Sequence, residues 1–140
     1  MKRFAALIAW LVLCFPLTGQ AVDLQIQVVG LRSAQGEVHL GIFDQPAAFP
    51  QGEHLAGTKV KVGSGPVTAV FTDLQPGTYA VSLYHDENSN GRFDKNFLGL
   101  PQEGHGFSND ARPSLGPPSF KKASFTVDDQ HTVITITVQY

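Results

Sequence analysis

Leu24, Ile26 and Val28 alternate with Gln25 and Gln27, and the same two-residue period returns at Val38, Leu40 and Ile42 against His39 and Gly41. A period of two sends successive side chains to opposite faces of a pleated strand, one buried and one wet. The 3.6-residue stripe of an amphipathic helix does not fit the same positions. The turn-forming run Gly30 to Gly36 between the two stretches predicts a hairpin ending near Phe43. His39 then falls on the outer face as a solvated strand residue.

Later stretches repeat the pattern. Asp44 to Gly57, with two prolines and two glycines, reads as a loop whose Phe49 plugs an end of the core. Lys59 to Val62 and Val67 to Phe71 are short alternating runs split by Gly63-Ser64-Gly65-Pro66, which predicts another strand pair. Asp73-Leu74-Gln75-Pro76-Gly77 turns into a strand from Tyr79 to Tyr84. A tyrosine two residues after a Pro-Gly turn resembles the corner of immunoglobulin-like and transthyretin-like sandwiches, where its hydroxyl ties the corner to backbone. Ala123, Phe125 and Val127, then Ile134, Ile136 and Val138, predict a closing hairpin turned at Asp128-Asp129-Gln130. The expected fold is an all-β antiparallel sandwich of about seven strands, immunoglobulin-like or transthyretin-like, with one long loop over residues 86–119.

Lys2 and Arg3, the apolar run Phe4 to Phe15 and the small residues Gly19-Gln20-Ala21 are the three parts of a secretory signal peptide over residues 1–21. Pro16 breaks the apolar run short of the ~20 residues that span a bilayer. The expected mature chain starts near Val22, does not span a membrane, and is periplasmic or secreted. Removing 21 of 140 residues leaves 119, one domain over residues 22–140, without Cys14 and therefore without a disulfide. Taking Lys2 and Arg3 from the ten basic residues leaves eight against twelve acidic ones, a formal charge of −4. That balance excludes a nucleic-acid binder, which needs a clustered basic surface. A protein or a small ligand is the remaining kind of partner.

The chemistry concentrates in His85-Asp86-Glu87-Asn88-Ser89-Asn90-Gly91-Arg92-Phe93-Asp94. Asp86, Asn88 and Asn90 alternate, Gly91 follows where a loop turns sharply, and Asp94 supplies a second carboxylate. This matches the first half of the calcium-loop pattern D-x-[DN]-x-[DN]-G. The twelfth position from Asp86 is Phe97 instead of a bidentate Glu. The expected calcium ligands are the side chains of Asp86, Asn88, Asn90 and Asp94 with the Arg92 carbonyl, and Glu103 would stand in for the missing Glu if the loop folds back. Two carboxylates place the affinity in the weak extracellular range, roughly 10⁻⁴ to 10⁻³ M. The competing reading is an Asx-rich turn in which the same side chains bond their own backbone.

The segments His85-Asp86-x-Asn88-x-Asn90-Gly91, Gly99-x-Pro101-x-Glu103, Gly106-Phe107-Ser108-Asn109 and Pro117-Pro118-Ser119-Phe120 occur in that order. Through them the chain resembles an uncharacterised exported bacterial family, domain of unknown function 2141. The resemblance implies an exported β-sandwich and carries no catalytic residue with it.

Two further function classes stay open. His85, Glu103 and His105 combine imidazole with carboxylate, as a metal-dependent hydrolase requires, although no H-E-x-x-H or G-x-S-x-G segment accompanies them. Phe93, Phe97 and Phe107 would instead anchor a protein partner, or insert into the sandwich to hold the long loop. The leading expectation is an exported, non-enzymatic binding or structural module with a weak calcium loop at residues 86–94.

Overall fold

The structure, a computed structural model, describes residues 19–130 and 132–140. The signal peptide read over residues 1–21 therefore lies, up to residue 18, outside the described residues. Among the described residues the strands are β1 (Val22–Val29), β2 (Glu37–Phe43), β3 (Ala56–Lys61), β4 (Val67–Leu74), β5 (Gly77–Asp86), β6 (Gly104–Phe107), β7 (Phe125–Val127) and β8 (Val133–Thr137). One short helix, α1 (Phe120–Ala123), precedes β7.

The alternating runs do what a sandwich requires. Leu24, Ile26 and Val28 of β1 meet Val38, Leu40 and Ile42 of β2 in one core, joined by Phe71, Val81, Leu83 and Ile136. Each such side chain withdrawn from water contributes roughly 1.5–3 kcal/mol, and this burial holds a domain that has no disulfide. One sheet has the order β4-β1-β8, the other β3-β2-β5-β6, with β7 paired to the start of β5.

The expected hairpins are not formed. β1 pairs with β4 and β8 while β2 pairs with β3 and β5, so the chain crosses between sheets at 30–36. The β3 to β4 and β7 to β8 connections cross in the same way. A strand feeding either sheet of a sandwich shows the same alternation, because both sheets turn one face to the shared core. β8 also runs parallel to β1, from Gln25↔Val133 to Val29↔Thr137, the one departure from antiparallel pairing among the described strands.

The corner tyrosine behaves as its position suggests. Tyr79 is buried and its hydroxyl donates to the Gln75 carbonyl at 2.7 Å.

The long loop 86–119 contains a strand that the sequence concealed. Gly104 and Gly106 lower strand propensity, yet in β6 they occupy inward positions where the last residues of the chain pass very close. A Cβ on Gly104 would lie 2.5 Å from the Tyr140 ring, and one on Gly106 2.9 Å from Ile136.

Phe107 and Phe49 also differ from expectation. Phe107 faces Ser82 across the ladder, on the side of β5 opposite Val81 and Leu83, so it lies outside the sandwich. With Ala80, Ala111 and Ala123 it forms a second apolar cluster, against which Phe49 and Phe120 pack. Ser108, fully buried, fastens this cluster: its Oγ accepts from the Val81 amide at 2.8 Å and donates to the Ala123 carbonyl at 2.6 Å.

Candidate functional site

Alternation along β5 sends Ala80, Ser82, Tyr84 and Asp86 to the outer face of the five-stranded sheet. Cross-strand pairing brings Gly41 to Ser82, His39 to Tyr84, Glu37 to Asp86, and from the other side His105 to Tyr84. His39, Tyr84, Asp86 and His105 therefore share one sheet face.

The loop after β5 is closed by its own side chains. Asp86, with no solvent exposure, accepts the Asn90 amide at 3.1 Å and the Gly91 amide at 2.7 Å. Asn88 Oδ1 takes the Asn90 amide at 3.0 Å, and Asn90 Oδ1 takes the Arg92 amide at 2.8 Å. The side-chain amides of Asn88 and Asn90 both donate to Asp94 Oδ2 at 2.8 Å. Gly91 holds a φ of 75°, which glycine adopts at little cost. This is an Asx-braced turn, and among the described residues no group of three His, Cys, Asp or Glu stands close enough to hold a metal.

Glu103 does fold back onto the loop. Its Oε2 accepts the Asp94 amide at 3.0 Å, while its Oε1 is buried without a hydrogen-bond partner. Burial pushes its pKa up, and the charges of Asp94 and Asp86 push it further against the lowering effect of the Asp94 and Glu87 amides. A carboxyl whose folded pKa lies above its unfolded value favours the folded state at low pH, and loses that advantage as pH rises through the folded pKa. Glu103→Gln, which keeps an acceptor and removes the charge, should therefore stabilise the protein at pH 7 by about 1 kcal/mol. The gain should fade as pH falls through the raised folded pKa and be gone below the ordinary carboxyl value of 4.5. Urea denaturation at the two pH values measures it, and a loss of stability at both would show that the acceptor role outweighs the charge.

The hydrolase combination does not assemble. His85 points into the sandwich, where Nε2 donates to the Gln35 carbonyl and Nδ1 accepts from the Tyr140 hydroxyl, each at 2.7 Å. Gly104 pairs with His85, and His105, the next residue along β6, takes the other face across from Tyr84, so His85 and His105 are separated by the sheet itself.

What the outer face holds instead is a hollow of about 640 Å³ over β2, β3, β5 and β6. Rings surround it in sequence. His39 stacks on Tyr84 at 4.7 Å between centroids, Tyr84 meets Phe93 at 5.5 Å, and Phe93 meets His105 at 5.9 Å. The run continues through His105 and Phe107 at 6.0 Å, and on the far side Phe43 meets His54 at 6.1 Å. Offset and edge-on pairs of this kind hold each ring in place. The paired strand residues Gly41 and Gly57 give His54 its seat: a Cβ on Gly57 would lie 2.4 Å from His54 Nε2, and one on Gly41 3.3 Å from His54 Cβ.

His39 is thus no solvated residue. The Tyr84 hydroxyl lies 3.0 Å from its Nδ1, and burial followed by the charges of Asp86, Glu103 and Asp94 raises the Tyr84 pKa, so the phenol keeps its proton to donate. The Nε2 of His39 lies 3.3 Å from Asp86 and 3.5 Å from Glu37 and makes a hydrogen bond with neither. Sequence reasoning missed His54, Lys59 and Tyr84 as wall residues. The available signal was a glycine inside each of two strands, which marks a close approach from outside the sheet.

No curated protein and no solved structure matches the chain. A family model described as an uncharacterized protein conserved in bacteria (DUF2141) matches residues 26–135, which takes in both sheets, the braced loop and the hollow. The chain belongs to that family.

Proposed function

We propose that the chain is an exported, periplasmic or secreted, non-enzymatic binding module that holds a small molecule in the hollow over its five-stranded sheet. The observation that carries this reading is the concavity itself. Rings stand around it without collapsing into it, and two strand glycines seat His54 against the sheet as part of its wall. Small-molecule sites are typically concave, ringed by apolar and aromatic groups, and of roughly 300–1,000 Å³. The leader-like residues Lys2, Arg3 and Gly19-Gln20-Ala21 support export.

The 86–94 loop has a mechanical part in this reading, since Phe93 hangs from it over Tyr84 and His105. Calcium enters as a weak brace of that loop, through Asp86, Asn88, Asn90, Asp94 and the Arg92 carbonyl, in exchange for the present Asx bonds. The reading is tested by screening a small-molecule library against isotope-labelled protein by NMR. Binders should shift the amides of Gly41, Gly57 and Ser82. Shifts confined to the β4-β1-β8 sheet, or to the exposed tip at Phe97 and Leu98, would overturn it.

A further inference from the structure

The walls of the hollow carry charge of one sign. Lys59 of β3 and Lys95 of the braced loop line it together with His39, His54 and His105, and no Asp or Glu is among its lining residues. This sits in a chain whose formal net charge is −2. Neither lysine is in an ion pair among the described residues. The carboxylates near the hollow stand behind its wall rather than on it: Asp86 and Glu37 lie at Nε2 of His39, Asp86 accepts the Asn90 and Gly91 amides, and Glu103 and Asp94, whose charges reach Tyr84, are joined to each other through the Asp94 amide. His105 adds a buried Nδ1 with no hydrogen-bond partner.

The aromatic residues Tyr84, Phe93, Phe43 and Phe107 line the same hollow, Tyr84 with His39 stacked on its ring. Lys95 already lies 5.5 Å from the Phe93 ring centre, so an anion paired with its ammonium would sit at the edge of an aromatic wall. A ligand must match both features at once, a planar apolar body and a negative group at one end. A simple inorganic anion would leave the rings uncovered, and a neutral aromatic would leave the ammonium groups without a counter-charge.

We propose that the hollow selects a small aromatic carboxylate, its ring laid against Tyr84 and Phe93 and its carboxylate paired with Lys59 or Lys95. This rests on the small-molecule reading given above and names the chemical class it takes.

The test is isothermal titration of the purified protein at low salt with 2-naphthoate, 2-naphthylmethanol and acetate, each followed by NMR at Gly41 and Gly57. 2-Naphthoate should bind at least tenfold more tightly than either of the others. The double variant Lys59→Gln with Lys95→Gln should lose about tenfold of the 2-naphthoate affinity and none of the alcohol affinity. Equal affinity for 2-naphthoate and 2-naphthylmethanol, with shifts at Gly41 and Gly57, would overturn the anionic class and leave the hollow as a binding site. Failure of all three probes to shift those glycines would overturn the aromatic carboxylate, and hits from other chemical classes at the same glycines would then preserve the small-molecule reading alone.

Discussion

Asp86→Ala lowers the folding stability by about 3 kcal/mol, because it removes a fully buried carboxylate on which two loop amides end. The Asn90 and Gly91 amides both end on this carboxylate, and His39 Nε2 faces it at 3.3 Å. Asn at the same position retains one acceptor oxygen and turns an amide N–H toward the other donors, so Asp86→Asn should lose an intermediate amount. Aspartate and asparagine are near equivalents in an exposed Asx turn, but not where both carboxylate oxygens accept. Urea denaturation of the parent and both variants measures the series. Parity of Asp86→Ala with the parent would show that water replaces the carboxylate. The same melts with calcium at about 10⁻² M, above the weak range of such modules, separate ion ligation from bracing: a parent stabilised by calcium and an Asp86→Ala variant that is not would mark Asp86 as a ligand.

His85→Ala is the second large effect, again about 3 kcal/mol, and it arises inside the sandwich. The ring is fully buried, bonded at both nitrogens and packed edge-on to Tyr140 at 6.2 Å between centroids. Its removal leaves a cavity and an unpaired Gln35 carbonyl. Tyr140→Phe should cost less, about 1 kcal/mol, because Nδ1 loses its donor while the packing survives. Thermal unfolding of the two variants tests this ordering. A His85→Ala protein as stable as the parent would contradict the structural role assigned to the imidazole.

These two neighbours show how far the sequence could be read. Both were visible as candidates, since His85 and Asp86 open the one segment rich in oxygen and imidazole. Their roles depended on which face of β5 each side chain takes, and that follows from a register that only the partners Val38 and Glu37 define. The strand runs around Leu24, Val38 and Ile134 were legible from alternation, but alternation is blind to which sheet a strand joins, and so three crossings read as hairpins. β6 was hidden for a different reason. Gly104 and Gly106 have no side chain to display a period, and the cause of their smallness, the approach of Ile136 and Tyr140, lies thirty or more residues away. The hollow was least legible of all, because its walls come from β2, β3, β5, β6 and two loops, and no local segment contains more than a few of its residues.

The claim that the outer face of the five-stranded sheet is a binding site is tested most directly by filling it. Ser82 lies on the floor of the hollow, across the ladder from Gly41 on one side and Phe107 on the other. Its hydroxyl donates only to the Pro50 carbonyl, at 3.1 Å, so Ser82→Phe forfeits about 1 kcal/mol and projects a ring into open space. The measurement is the dissociation constant of the tightest small molecule found by the NMR screen, for the parent and for Ser82→Phe. The account predicts at least a tenfold loss of affinity in a variant that still unfolds cooperatively, and unchanged affinity in that folded variant would contradict it.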